Sequence, residues 1–159
     1  MYKQRGPWIQ PAPGAFHTWD ELLVTGHMDK QTQPWRTPQR RLVLVMEHVV
    51  DPLCRHFGQP ARITSAWRST GVNRAINGAR RSLHTFGMAV DLGFEGLTSF
   101  DIVAAMVELG IDYDKVIAYH PEVGGHVHAS YKGPRSNRGR MLECLRGANG
   151  SKVYRVYRP

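Results

Sequence analysis

Apolar residues in this chain switch between two spacings, and the switches mark out its elements. After Thr37-Pro38, the set Leu42, Val45, Met46, Val49, Leu53 and Phe57 recurs at helical spacing up to Gly58. Threonine followed by proline reads as an N-cap and the first helical position. Pro52 falls inside this helix, where it removes a ladder bond and crowds the carbonyl four residues back, so a bend is expected there. A second helix is expected from a cap at Thr98 or Ser99 to Leu109, with Ile102, Val103, Met106 and Leu109 inward and Gly110 as its stop. Thr18-Trp-Asp-Glu21 has the form of a capping box opening a short helix through Val24, which Gly26 ends. Strand spacing governs Ala61–Trp67, Met88–Leu92, Lys115–Tyr119 and His126–Tyr131, the last two joined through Pro121 and Gly124-Gly125. Arg140–Arg146 and Lys152–Arg158, on either side of Gly-Ala-Asn-Gly, read as a further hairpin. The pattern predicts an α+β fold in which helices cover one face of a small, mostly antiparallel sheet.

Composition changes this picture little. With 159 residues, 42% hydrophobic and 21% charged, the chain reads as one domain able to bury a core. Residues 1–17 hold three of the ten prolines and read as an extended arm packed on that domain. No apolar run approaches the roughly 18–20 residues needed to span a bilayer. The N-terminus has charges but no apolar h-region, so no signal peptide is expected. Cys54 and Cys144 share no C-x-x-C spacing and read as buried free thiols. The net charge of +8 favours encounters with anionic polymers. Basic residues gather in Arg36–Arg41, Arg80-Arg81 and the tail from Lys132 to Arg158. No nucleic-acid module accompanies them and no aromatic platform interleaves them, so nucleic acid is not the expected partner. Anionic wall polymers remain as candidates, and the basic surface reads as a solvated one.

Candidate chemistry concentrates in Ser82-Leu-His-Thr-Phe-Gly-Met-Ala-Val-Asp91 and in His126-Val-His128. Within the strand Met88–Leu92, Ala89 and Asp91 share one face and Met88, Val90 and Leu92 the other. A carboxylate in so apolar a strand needs a partner. His126 and His128 lie two apart, so both imidazoles point into one cleft. Two imidazoles and a carboxylate, with a spare imidazole beside them, give three N/O ligands and an open fourth position. That is the pattern of a catalytic rather than a structural zinc. His17, His27, His48, His56 and His120 read as surface or satisfied core residues, and Trp67 and Phe86 as walls of the site.

The run S-x-H-x-x-G-x-A-x-D resembles the zinc D-alanyl-D-alanine carboxypeptidase family of peptidoglycan peptidases, in the wider group that holds lysostaphin-type enzymes and the hedgehog signalling domain. Upstream, Ile63-Thr-Ser-Ala-Trp-Arg68-Ser, Asn73 and Asn77-Gly-Ala-Arg-Arg-Ser82 are similar to that family's "SGYRS…N…GGA…S" run. Downstream, Val116-Ile-Ala-Tyr119 and His126-Val-His128-Ala-Ser130 extend the likeness, which covers roughly residues 38–131 and leaves 132–159 as a basic C-terminal hairpin. The resemblance implies one zinc per chain, in a cleft over the sheet, held by His84, Asp91 and His128. It leaves His126 unligated and able to carry a proton; Glu122 is the alternative base, since many relatives place a carboxylate shortly before the last His. It gives Arg68 a substrate carboxylate or oxyanion to hold, and Ser82 a hydrogen bond to substrate. Asn73 and Asn77-Gly78 are expected to shape the connecting turn.

The implied activity is hydrolysis of an amide bond in the peptide stem or cross-link of peptidoglycan. An endopeptidase of the phage endolysin type, monomeric, made in the cytoplasm of a host bacterium and acting on the wall after release, is expected. The alternatives are a D-Ala-D-Ala carboxypeptidase and a catalytically silent zinc module that binds wall.

Overall fold

Local chemistry accounts for most element boundaries in the computed structural model, which describes residues 1–159. Helix α1 covers Arg36–Val45 and α2 covers Asp51–Phe57, joined by a π-helical turn over Met46–Val50. Pro52 explains that turn. It has no N–H for the carbonyl of His48 and its ring displaces that oxygen, so the ladder widens and the Asp51 N–H donates to the Met46 carbonyl instead. The expected bend is thus a one-residue widening. The expected cap at Thr37 is corrected: α1 begins at Arg36, Trp35 is its extended N-cap residue, and no side chain caps it. Pro38 is tolerated as the third helical residue because N–H groups of the first turn have no intrahelical acceptor. Gly58 closes α2 in the left-handed conformation at φ +64°.

Thr18 and Glu21 form the reciprocal pair expected of a capping box, and the 3₁₀ turn they open is short, Glu21–Leu23. The N-terminal arm lies on the body, with Trp8 stacked on Trp19 at 4.6 Å. Helix α3, Thr70–Ala75, is capped by the Ser69 hydroxyl accepting from Val72 N–H. Helix α4, Ser99–Glu108, has a full capping box between Thr98 and Asp101.

Six strands form one sheet: β1 Arg62–Ser65, β2 Ala89–Gly93, β3 Lys115–Tyr119, β4 Val127–Ser130, β5 Arg140–Arg146 and β6 Lys152–Val156. Their spatial order is β1-β2-β4-β3-β5-β6, and every pair is antiparallel except β3 with β5. This is the expected α+β fold with one parallel pair added. Val90, Leu92, Val127, Ala129, Val116 and Ala118 are fully buried on one face of the sheet, in the core built by Leu42, Val45, Met46, Val49, Leu53, Ile102, Val103 and Met106. The opposite face carries a row that crosses the strands in register: Asp91 beside His128, then Ile117, then Leu142. Cys54 and Cys144 are both buried and free, as expected.

Asp114 ties the β4–β5 connection to the start of β3. Its side chain is fully buried and accepts from Arg138 Nε and Nη2, both at 2.8 Å, while Lys132 Nζ lies at 3.2 Å. Burial pushes this carboxyl up, but the Arg138 and Lys132 hydrogen bonds outweigh it and hold it below the usual carboxylate range. A depressed folded-state value contributes stability that is present above the unfolded value and lost as pH falls through the folded one. Asp114→Asn is therefore expected to cost about 2 kcal/mol at neutral pH. The gap to wild type should narrow below about pH 4. Urea midpoints at several pH values read this directly, and a gap independent of pH would refute it.

Candidate metal centre

Strand β2 is buried along its whole length, and Asp91 is its one ionisable side chain. Antiparallel register sets Asp91 directly opposite His128 of β4, and paired residues share a face, so the imidazole Nδ1 stands 2.8 Å from Asp91 Oδ1. His84 reaches the same oxygen from the 3₁₀ turn Leu83–Phe86 that precedes the strand, its Nε2 at 3.3 Å. Gly87 makes this approach possible. It takes φ +69°, and a Cβ there would lie 2.5 Å from the Pro38 carbonyl oxygen.

His84 Nδ1 lies 2.8 Å from the Ala66 carbonyl oxygen. A carbonyl oxygen only accepts, so Nδ1 carries a proton and Nε2 is the nitrogen left to meet Asp91 or a metal. The three donor atoms of His84, Asp91 and His128 all lie within 4.8 Å of one another. Two imidazole nitrogens and one carboxylate oxygen suit zinc, and the Ala66 bond gives His84 the orientation that a zinc-ligating imidazole needs. Burial pushes the Asp91 carboxyl up, but the imidazoles of His128 and His84 facing it outweigh that and hold it well below the usual carboxylate range. The residues present therefore fit the metal.

Arg68 leaves β1 into the following loop, as expected, but its guanidinium is not free. Nη2 donates to Asp91 Oδ2 at 2.9 Å and Nε donates to the Ser65 hydroxyl at 2.8 Å. It fixes the carboxylate that faces both imidazoles. His126 immediately precedes β4, half-buried, with its ring stacked on Tyr119 at 4.2 Å and 15°. Burial holds this imidazole below its ordinary value, with the Asp91 charge pulling the other way, so it is neutral at pH 7. Glu122 lies in the turn Pro121–Val123, exposed, with Oε1 accepting from Arg146 N–H at 3.4 Å. It does not line the cleft, whereas His126 does.

That cleft, about 790 Å³, lies over the open sheet face. A second lobe of about 390 Å³ runs past Arg68, Asp91 and His126 toward Val24–Gly26 and Arg62, so the depression continues on both sides of the cluster. Ser82, Asn77 and Gly78 border the larger lobe. Asn73 holds that border loop by donating to the Gly78 and Ala79 carbonyls. Trp67 and Phe86 are not walls of the site. Trp67 is buried in the core, donating to the Thr32 carbonyl, and Phe86 is exposed and does not line the cleft. His17 donates to the Ala61 carbonyl and His120 pairs with Glu143, both away from the site.

Several contributors escape sequence reasoning. Ser65 and the Ala66 carbonyl orient Arg68 and His84, through contacts that no motif spacing encodes. Lys115, Tyr119, Arg140, Lys152 and Tyr154 line the cleft. Alternation along β3 puts Lys115, Ile117 and Tyr119 on one face, but Arg140 and Lys152 reach it only because β5 docks parallel to β3.

A family model described as peptidase M15 matches residues 17–130, a span that includes Arg68, His84, Asp91, His126 and His128. No curated protein matches the chain.

Proposed function

The chain belongs to the peptidase M15 family of zinc-dependent metallopeptidases, and from this we propose that it hydrolyses an amide bond within the peptide part of bacterial peptidoglycan. The observation that carries the reading is the convergence of His84, Asp91 and His128 in a cleft that His126 also lines. In this proposal His84, Asp91 and His128 hold one zinc ion. When bound, zinc supplies Lewis acidity, polarising a scissile carbonyl and lowering the pKa of water to about 7. His126, neutral and steadied by Tyr119, takes the proton of the attacking water and returns it to the departing amine. Arg68 holds the Asp91 carboxylate in orientation, and Ser82 hydrogen-bonds the bound peptide at the border of the cleft. Mass spectrometry of purified sacculi after digestion tests this. New amine and carboxyl termini within the stem or cross-link support it, and intact sacculi refute it.

We place the cut inside the peptide rather than at its end. Two features favour this: the depression runs on past the cluster in both directions, and the fork of Arg68 is already engaged by Asp91 and Ser65. A terminal carboxylate would need a free fork to grip. Arg68→Lys should then lower kcat by about tenfold, as loss of a partner to a ligand does, and leave KM nearly unchanged. Amidating the substrate terminus should have little effect. A raised KM for free-ended stem peptides, matched by the effect of amidation on wild type, would instead identify a carboxypeptidase. The same proposal extends to a lytic role of the phage or prophage type, acting on the wall after release. The net charge of +8 supports it by favouring anionic wall polymers.

A further inference from the structure

The larger lobe of the cleft is strongly one-sided in charge. Arg68, Lys115, Arg140 and Lys152 line it against a single carboxylate, Asp91, which Arg68 already pairs. Lys115, Arg140 and Lys152 take part in none of the ion pairs of the chain. Lys152 Nζ stands over the Tyr119 ring at 5.2 Å, close to the histidine that ring supports. Burial and the neighbouring Arg138 hold the Lys115 ammonium below the usual lysine value, against the pull of Asp114. Positive charge has been gathered here without internal compensation. A solvated surface has no reason to concentrate it in the same depression as the cluster.

Register gives these cations an order. Lys115 on β3 pairs with Arg140 on β5 at one end of the row formed by His128, Ile117 and Leu142, whereas Lys152 on β6 pairs with Arg146 at the far end of β5 and reaches back over Tyr119. Between the Lys115 and Arg140 pair and Lys152 the floor is Ile117, Leu142 and Tyr154, apolar enough to carry the backbone of an extended ligand.

We propose that Lys115, Arg140 and Lys152 determine specificity: they receive the free carboxylates of an acidic peptide lying across β3, β5 and β6 to one side of the scissile bond. The inference rests on the reading that the cluster cuts a wall peptide. The substrate so selected bears carboxylates at two separate places, one met by Lys115 and Arg140 and one by Lys152, with the apolar floor between them.

The test uses zinc-loaded protein and sacculi stripped of teichoic acid, either native or with their carboxyl groups converted to amides by carbodiimide and ammonia. Co-sedimentation reads binding, and mass spectrometry reads released peptides. Amidation should weaken wild-type binding about tenfold, the scale of a few partly screened charge pairs. The double variant Arg140→Gln/Lys152→Gln, both positions exposed, should bind native sacculi about tenfold more weakly and respond little to amidation. Adding Lys115→Gln, at a half-buried position, should extend the loss, with urea unfolding as the check on its fold. Equal binding of native and amidated sacculi by wild type, or full sensitivity to amidation in the double variant, overturns the inference. Equal release of peptides from both kinds of sacculi does so too, while leaving the proposed activity standing. Carboxylate-dependent binding with no peptide released refutes the activity and keeps the cations as an acidic-peptide site.

Discussion

His84→Ala is expected to abolish zinc retention and hydrolysis together. The residue is buried, its Nδ1 is committed to the Ala66 carbonyl, and its Nε2 has only the Asp91 oxygen to face. Without it, Asp91 and His128 remain as two donors, one short of the three protein ligands of a catalytic zinc. Elemental analysis after gentle purification should fall from about one zinc per chain to none. Peptide release from sacculi should fall at least about 10⁴-fold, since the Lewis acid and the water it activates are lost at once. The variant also loses stability, because the Ala66 carbonyl is left without its donor at a cost of about 1–3 kcal/mol. Thermal unfolding of the variant against metal-stripped wild type separates the two. A variant that stays folded, holds no zinc and still cuts would mean that the reaction centre lies elsewhere.

The second large effect separates proton carriage from metal binding. His126→Ala should retain zinc and lose on the order of 10²–10⁴ in kcat, the usual worth of a general acid–base group. His128→Ala should behave like His84→Ala and lose the metal. Glu122→Gln should be close to wild type, because Glu122 is turned to Arg146 and away from the cleft. Removing the His126 imidazole also uncovers Tyr119, which loses its stacking partner, so a modest drop in stability should accompany the loss of rate. Loss of zinc from His126→Ala with retention in His128→Ala would invert the pair. An active His126→Ala beside a dead Glu122→Gln would make the turn carboxylate the base.

Much of this centre is legible in the sequence because its parts are local. Asp91 stands in an apolar strand, His84 precedes it by a turn that needs glycine at 87, and the alternation of His126 and His128 puts both on one face. Helix α4 is equally local, its cap written in Thr98 and Asp101. The start of α1 is less so. Thr37-Pro38 has the composition of a cap, but the helix reaches back to Arg36, and the first-turn tolerance for proline fits either register. What the sequence hides is long-range. Nothing in Arg140–Arg146 says that the strand will run parallel to β3, so the tail hairpin is predictable while its contribution to the cleft is not. Arg68 illustrates the same limit at short range. Its place after β1 is readable, but whether its fork meets a ligand or Asp91 depends on a strand 23 residues away.

The alignment of β2 with β4 makes the centre a matter of parity. Asp91 faces His128 while Val90 faces Ala129 and Leu92 faces Val127, so ligand and core residues alternate along the same two strands. One residue inserted between Val127 and His128 would exchange the roles of the two faces beyond it, sending the imidazole toward the core and Ala129 into the cleft. The same change in the turn Pro134–Ser136, outside any strand and between the Lys132 and Arg138 contacts to Asp114, would alter little beyond the path of a loop. Length is therefore as fixed as residue identity through β4, and a library of single-residue insertions should be rejected there and accepted in the turn Pro134–Ser136.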